Sequence, residues 1–432
     1  MARMALLSWG SHGDVLPFVA LAQGLRAAGH EVVIAAQPYH AAFVQQQGIE
    51  FCALGSETSV EQYQQLMTTL IDEANPRKQL RLLLQTLLLP DLEAQYQDAL
   101  PVVAQADVVV AHWMQLAGMA AAESLGRPCL TVSLNPVGIG VVAGAEVQEA
   151  DGLKTQERAR NLGRMLSDYV WGSEFHQLRA RHALPAIDSV AGYQYSSRLN
   201  LVAVSPALLP EQEHFEPQHK VTGFWSLPEE HVWTPAPELA QFLAAGEPPV
   251  VFSFGSMAGH VGQMRALVIE AVRQAGCRAI LQGGWAGLGQ GDDGDGENDG
   301  KSKGLPLPAE LAGRLLCVDY VPHEFLFSRA ACVVHHGGAG TTASALRAGV
   351  PSVIVWHMLD QPYWGQRLAS LGLGPAALAR PGLKADALAA RIREVLQHPG
   401  YRPACQELAR QLQAEQGVAV AVAEIGRYGV LG

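Results

Sequence analysis

The sequence predicts an α/β protein made of two similar halves, each a parallel sheet flanked by helices. Three observations predict it. Short apolar runs alternate with stretches of helical spacing through the first third of the chain. Prolines then cluster at Pro228, Pro235, Pro237, Pro248 and Pro249. Beyond them the same alternation begins again. Strands alternating with helices form βαβ units and hence parallel sheets, and a proline cluster marks an exposed boundary.

In the first half, Met4–Ser8 reads as a buried strand. Pro17–Ala28 has helical spacing through Phe18, Leu21, Ala22 and Leu25, and Gly29 stops it. Glu31–Ala36, Ile49–Leu54, Asp107–Ala111 and Pro128–Ser133 are further strands, with a helix at Gln115–Leu125 between the last two. The stretch 137–200 is irregular, and Leu201–Val204 and Lys220–Phe224 return to strand patterns. In the second half, Val250–Phe254, Arg278–Gln282, Leu315–Tyr320, Ala331–His335 and Ser352–Val355 read as strands, and Val261–Ala275 as a helix. The tail from Tyr401 is helical in pattern. The expected organisation is residues 1–230, residues 231–410 and a terminal helix over residues 411–432.

Length and composition bound the function. A chain of 432 residues exceeds one ordinary core, so two domains are expected. Hydrophobic residues make up 49% and charged residues 16%, enough to bury large cores. A net charge of -11 argues against a nucleic-acid partner, which would require a basic face. The six cysteines are scattered without a CxxC pair and read as reduced core residues. Met1–Trp9 is too short an apolar run for a signal peptide, and no run of about 18 apolar residues spans a bilayer. A cytoplasmic protein, monomer or homodimer, is expected.

Gly283–Gly304 mixes glycines with Asp292, Asp293, Asp295, Glu297 and Asp299 and reads as a loop. A calcium loop starting at Asp295 needs a Glu at its twelfth position, where Pro306 stands. Asp293-Gly294-Asp295 has the DxD form of a metal site, but in a glycine-rich loop rather than at a strand end. No metal ligand set is expected.

The chemistry concentrates at His335-His336-Gly337-Gly338-Ala339-Gly340-Thr341-Thr342. A strand ends at His335, and a helix expected over Thr342–Ala348 stops at Gly349. Glycines allow close backbone approach, and the free N–H groups of a helix start carry about half an elementary positive charge. The local reading is a pyrophosphate site; the alternative is a plain tight turn. The spacing fits neither GxGxxG nor GxxxxGK[ST].

Tyr320-Val321-Pro322-His323, then HHGGAGTT, then Gly349-Val350-Pro351, then Asp360-Gln361-Pro362-Tyr363-Trp364-Gly365 follow one another in one block. This block resembles the donor-binding signature of family-1, UDP-glycosyltransferase-like enzymes with the two-Rossmann GT-B fold. Gly10-Ser11-His12-Gly13-Asp14-Val15-Leu16-Pro17 is similar to the bacterial and fungal branch with sterol, macrolide, glycopeptide and rhamnolipid transferases. The resemblance implies two Rossmann-like domains facing across a cleft, the last helix returning to the first. It implies diphosphate contacts at His336, Gly338, Gly340 and Thr341, and sugar hydroxyls at Asp360 and Gln361. It places the nucleobase against Tyr320, with the Val321 backbone at its edge. Ser256 matches a phosphate-contacting position, or is a helix N-cap serine.

On the acceptor side, the resemblance offers Asp14 as general base where many relatives place a His. His12, two residues away, is the alternative base. His112 closes a strand where relatives with a catalytic His often carry an Asp, so it either pairs with Asp14 or lines the acceptor pocket. The implied reaction is an inverting displacement without metal or other cofactor. The co-substrate is a nucleoside diphosphate sugar, with UDP-glucose expected and a dTDP-deoxysugar such as dTDP-rhamnose the alternative. An epimerase of the same architecture is a reading from another class. Apolar residues at Leu82–Leu89, Trp113 and Met114 and in 137–142 suit a hydrophobic small-molecule acceptor: sterol, terpenoid, lipid, flavonoid or polyketide.

Overall fold

The computed structural model describes residues 1–432 apart from 59, 74, 138, 140–170, 172, 211, 213–214, 228–232, 256–259, 284–307 and 429–432. The chain forms two compact units. The first is Met1–Ser59, Leu80–Pro228 and Glu415–Gly432; the second is Val60–Gln79 and Glu229–Ala414.

The first unit carries β1 (Arg3–Leu7), β2 (Glu31–Ala36), β3 (Glu50–Ala53), β4 (Val108–His112), β5 (Cys129–Ser133), β6 (Asn200–Val202) and β7 (His219–Val221). Their spatial order is β3-β2-β1-β4-β5-β6-β7, every pair parallel. The second unit carries β8 (Val250–Ser253), β9 (Ala279–Gln282), β10 (Leu315–Val318), β11 (Cys332–His335), β12 (Ser352–Trp356) and β13 (Leu378–Ala379). Their order, β10-β9-β8-β11-β12-β13, repeats the first sheet's pattern, again all parallel. This is the doubly wound arrangement, in which strand order reverses once. The reversals lie between β1 and β4 and between β8 and β11; in open sheets of this kind the crevice outside the carboxyl ends at the reversal is the usual place for a ligand.

Helices of eight residues or more among the described residues are α1 (His12–Ala27), α2 (Val60–Asp72), α3 (Pro76–Leu83), α4 (Leu92–Ala104), α5 (Leu116–Ser124), α6 (Pro237–Ala244), α7 (Val261–Ala275), α8 (Ala339–Arg347), α9 (Gln361–Ser370), α10 (Ala385–Gln397), α11 (Tyr401–Ala414) and α12 (Gly417–Arg427). The central strands read as continuous apolar runs because helices cover both faces: Val108, Val109, Val110 and Ala111 are all fully buried, as are Val250, Val251 and Phe252. In the first unit Phe18, Leu21 and Leu25 of α1 pack with Met4, Leu6, Ile34 and Val110, and Ala421 and Ile425 of α12 join them. A Cβ on Gly24 would stand 2.4 Å from Val418 Cγ1, so this glycine lets α12 lie close on α1. In the second unit Val268 and Val272 of α7 and Ile392 of α10 cover Val250, Phe252, Leu281 and Val334.

Two helices begin earlier than the sequence reading placed them. α1 starts at His12, not Pro17, because Ser11 has the extended backbone of an N-cap and Asp14 closes onto it. Pro17 therefore sits inside the helix; the bond its ring removes would have gone to exposed Gly13, four residues back. α8 starts at Ala339, three residues ahead of the expected position, so the glycines form its cap and first turn. All six cysteines are unbridged. No described helix is long and apolar enough to cross a membrane.

Candidate active site

In the second unit the strand-order reversal brings His335 of β11 beside Ser253 of β8 in register. After β11 the chain turns sharply. Gly337 sits at φ 88, where a Cβ would also stand 2.8 Å from Ile354 Cγ2. A Cβ on Gly338 would lie 2.4 Å from His336 Nε2, and one on Gly255 3.1 Å from His336 Cε1. The His336 ring thus leaves no room for a Cβ on Gly338, and Gly255 combines a tight approach with a φ of 61. Gly340 is different: a Cβ there meets nothing within 4 Å. The space over Gly340 opens onto the first turn of α8, whose cap, Gly338, supplies no side-chain hydrogen bond. The N–H groups of Ala339, Gly340 and Thr341 precede the first intrahelical bond, from Thr342 N to Gly338 O at 2.9 Å. Thr341 is half-buried and Thr342 fully buried with its Oγ1 unbonded. Together they form a backbone cradle of the kind that binds phosphate oxygens.

Four histidines cluster about His336 at the ends of β8, β11 and β12, and burial favours the neutral form of each. His336 is pushed down to about 4, with its Nδ1 buried and unbonded. His323 is pushed down to about 4 and meets Ser253 Oγ through Nε2 at 3.3 Å. His335 lies well below the usual imidazole range; its Nδ1 accepts from Gly337 N at 3.1 Å, which leaves the proton on Nε2. His357 is pushed down to about 3, and its Nδ1 donates to the Val355 carbonyl at 2.9 Å.

Past β12, Gln361 is 5% exposed, and its Oε1 accepts the N–H groups of His357 at 2.7 Å and Met358 at 3.0 Å. Its side-chain oxygen therefore shapes the turn, where the sequence reading had it meeting a ligand. Asp360 is half-buried; burial pushes its carboxyl up to about 6, against the Trp364 Nε1–H that donates to Oδ2 at 3.0 Å. Tyr320 is 70% exposed, a bare aromatic face after β10. Val321 is buried, its carbonyl accepting from Gln282 Nε2 at 2.9 Å. Ser256 and the loop 284–304, including Asp293 and Asp295, lie outside the described residues.

In the first unit the reversal point holds the other group. Asp14 is the third residue of α1, not part of a loop; its Oδ2 accepts from Ser11 N at 2.7 Å and Ser11 Oγ at 2.9 Å. Gly10 has φ 126, and a Cβ there would lie 2.4 Å from Asp14 Oδ2. The Gly10 carbonyl accepts from Tyr39 Oη at 2.7 Å and pairs with His40 Nε2 at 3.0 Å. His12 packs edge-on to Phe43 with ring centroids 4.3 Å apart, and burial lowers its pKa. His112 closes β4, is 2% exposed and is pushed down to about 3. Its ring meets Phe18 and Trp113, its Nδ1 has no partner, and among the described residues it makes no hydrogen bond to Asp14.

This geometry has relatives. Residues 4–139 match the glycosyltransferase family 28 N-terminal domain, and residues 301–425 the C-terminal domain of erythromycin biosynthesis protein CIII-like proteins. An O-mycaminosyltylonolide 6-deoxyallosyltransferase of Streptomyces fradiae is 33% identical over 96% of this chain and 95% of its own. A sterol 3-beta-glucosyltransferase of Arabidopsis thaliana is 30% identical over 99% of this chain and 68% of its own. The chain belongs to the UDP-glycosyltransferase-like GT-B family. Its fold matches that of the glycosyltransferase VinC, solved with dTDP, at a TM-score of 0.66 and 20% identity over the full length of both chains.

The glycosyltransferase therefore carries at one sheet's reversal point a helix-start cradle beside His336, with His323, His335 and His357 clustered nearby. At the other it carries Asp14, His12 and His112. Sequence reasoning passed over the roles of His323, His335 and His357. The signal was present in the HH doublet and in a histidine directly after β12, but only the fold shows that burial makes all of them neutral.

Proposed function

We propose that this glycosyltransferase moves a hexose, glucose from UDP-glucose, to a hydroxyl of a hydrophobic small molecule by direct displacement with inversion. The observation that carries the donor side is the open space over Gly340 at the start of α8, flanked by neutral His336. The diphosphate would accept from the N–H groups of α8, the Thr341 hydroxyl and His336. Preorganised donors aimed at the charge that develops on the leaving group accelerate its departure without requiring a metal ion. Ser256 would add a hydroxyl to this set. Tyr320 would stack on the base, beside the Val321 backbone. Asp360 would accept sugar hydroxyls, with Gln361 holding the turn and offering its amide. Asp14, oriented by Ser11, would take the acceptor's proton as the oxygen attacks the anomeric carbon; His12 is the second candidate base, and His112 a residue of the acceptor pocket.

The glucose reading is supported by the sterol glucosyltransferase relative, and a dTDP-deoxysugar donor by the deoxyallosyltransferase. The epimerase reading has no support among these relatives. The protein is tested with UDP-glucose, dTDP-glucose and a dTDP-deoxysugar against sterols, macrolactones and phenols. Products are read by mass and by the anomeric proton coupling. A β-glucoside from UDP-glucose is expected. Transfer from the dTDP-deoxysugar alone would select the alternative donor, and an α-glucoside formed from UDP-glucose would overturn inversion.

A further inference from the structure

Val60–Gln79 lies in sequence between strands of the first sheet, yet it belongs to the second unit. There it grips two loops at the carboxyl edge of that sheet. Asp72, the last residue of α2, meets His260, whose Nε2 stands 2.9 and 3.0 Å from the two carboxylate oxygens. His260 caps α7 on the connection that follows β8. Gln79 of α3 is fully buried, and its amide nitrogen reaches the His357 carbonyl at 2.8 Å as well as those of Leu70 at 2.9 Å and Glu73 at 2.7 Å. The Met358 N–H of the same peptide is bonded to Gln361 Oε1 at 3.0 Å, so the peptide leaving β12 is held from both sides. The charge of Asp72 also acts on Arg380, directly after β13, whose Nε is buried without a partner.

The backbone at the gripped places is strained. Among the described residues, the non-glycine residues at positive φ are Ala183, His260 at 52 and Leu359 at 54. Two of these three lie in the loops after β8 and β12. Side chains other than glycine hold that conformation only where surrounding contacts over-determine it. The tether at each loop supplies such contacts.

We propose that Val60–Gln79 is a strap that positions the donor loops, with Asp72 and Gln79 as positioning residues that never touch the nucleotide sugar. This rests on the reading of the second unit as the donor site. Asp72 acts through His260 on the loop after β8. Gln79 acts through His357 on the turn that carries Asp360.

The test measures UDP and dTDP binding to the full chain by calorimetry, in the wild type and in D72N, H260A, H260G, D72N/H260G and H336A. The Asp72 side chain is 63% exposed, so D72N keeps the fold, which its Tm verifies. D72N and H260A should weaken binding roughly 3- to 30-fold, the range of couplings carried by residues outside a ligand site. H260G should recover most of the affinity, because glycine adopts a φ near +50° without a tether. In the H260G background D72N should add nothing. In turnover, D72N should raise the donor KM and leave kcat at saturation near the wild-type value. Wild-type affinity in D72N, with binding lost in H336A, would overturn the strap while the donor site stood. A wild type that binds neither nucleotide, or an H336A that binds as well as the wild type, would overturn the donor-site reading and the strap with it.

Discussion

Asp360 carries the sharpest consequence at the scale of a single residue. Burial raises its carboxyl to about 6, close enough to neutrality for a carboxylate proposed to accept sugar hydroxyls to titrate in the working range. Sugar hydroxyls donate best to the ionised form. The donor KM should therefore rise as pH falls through about 6, and D360N should abolish that inflection while raising KM at every pH. The same burial makes ionised Asp360 a cost to folding, since its pKa is higher folded than unfolded. D360N should thus keep or raise Tm at pH 7. Lower Tm with an unaltered KM profile would make Asp360 structural instead. The pair Asp360-Gln361 was legible in the sequence as a motif. That Gln361 Oε1 is held by the N–H groups of His357 and Met358 was not, because those bonds exist only once β12 ends in a tight turn. Asp14 is similar: its candidacy was legible, but its place as the third residue of α1, bonded back to the Ser11 cap, was hidden by Pro17, a common first residue of a helix.

At the scale of an element, the β11–α8 connection separates glycines required by the protein from one the protein does not require. Ala at 338 would force the His336 ring aside, since the new Cβ would lie 2.4 Å from Nε2. Ala at 340 would meet nothing and would favour the helix by roughly 0.5–1 kcal/mol. G340A should accordingly match or exceed the wild-type Tm yet bind UDP more weakly, because its methyl group occupies space over the cradle. G338A should lose UDP affinity through the displaced imidazole. Scanning calorimetry and UDP titration on both variants check this; wild-type affinity in G340A would remove the diphosphate from that turn. Elements with strong periodicity were legible. α7 runs Val261–Ala275 as its spacing of Met264, Val268 and Val272 indicates, and Gly276 at φ 68 ends it. α2 and the start of α3, up to Gln79, were not legible as part of the second unit, because an amphipathic pattern states that a face will be buried, not against which sheet.

At the scale of the whole molecule, the buried histidines set the response to acid. Burial lowers the pKa of His12, His40, His112 and His219 in the first unit and of His323, His335, His336 and His357 in the second. For His40, His323 and His336 the folded value is about 4, and for His112 and His357 about 3, against 6.5 for the unfolded chain. Below pH 6.5 the unfolded chain binds protons that the folded chain refuses, so stability falls with pH until the folded pKa is reached. A folded pKa near 4 costs on the order of 2 kcal/mol per histidine between pH 7 and pH 5. Asp360 opposes this, since its folded value is about 6 against 3.8 unfolded, but it is one group against eight. A domain's net stability is only about 5–15 kcal/mol, so a few such histidines exhaust it. Tm should therefore drop steeply from pH 6.5 downward, and both units should be unfolded by about pH 4. Because lowered histidines occur in both units, nucleotide, which stabilises only the native state, should raise Tm at pH 7 without flattening the acid limb. Calorimetric scans at half-unit steps from pH 7.5 to 4, with and without UDP, measure both effects. A Tm that stayed level between pH 7 and 5 would mean that these imidazoles are solvated and free to charge, and that the neutral histidine cluster about His336 does not exist in solution.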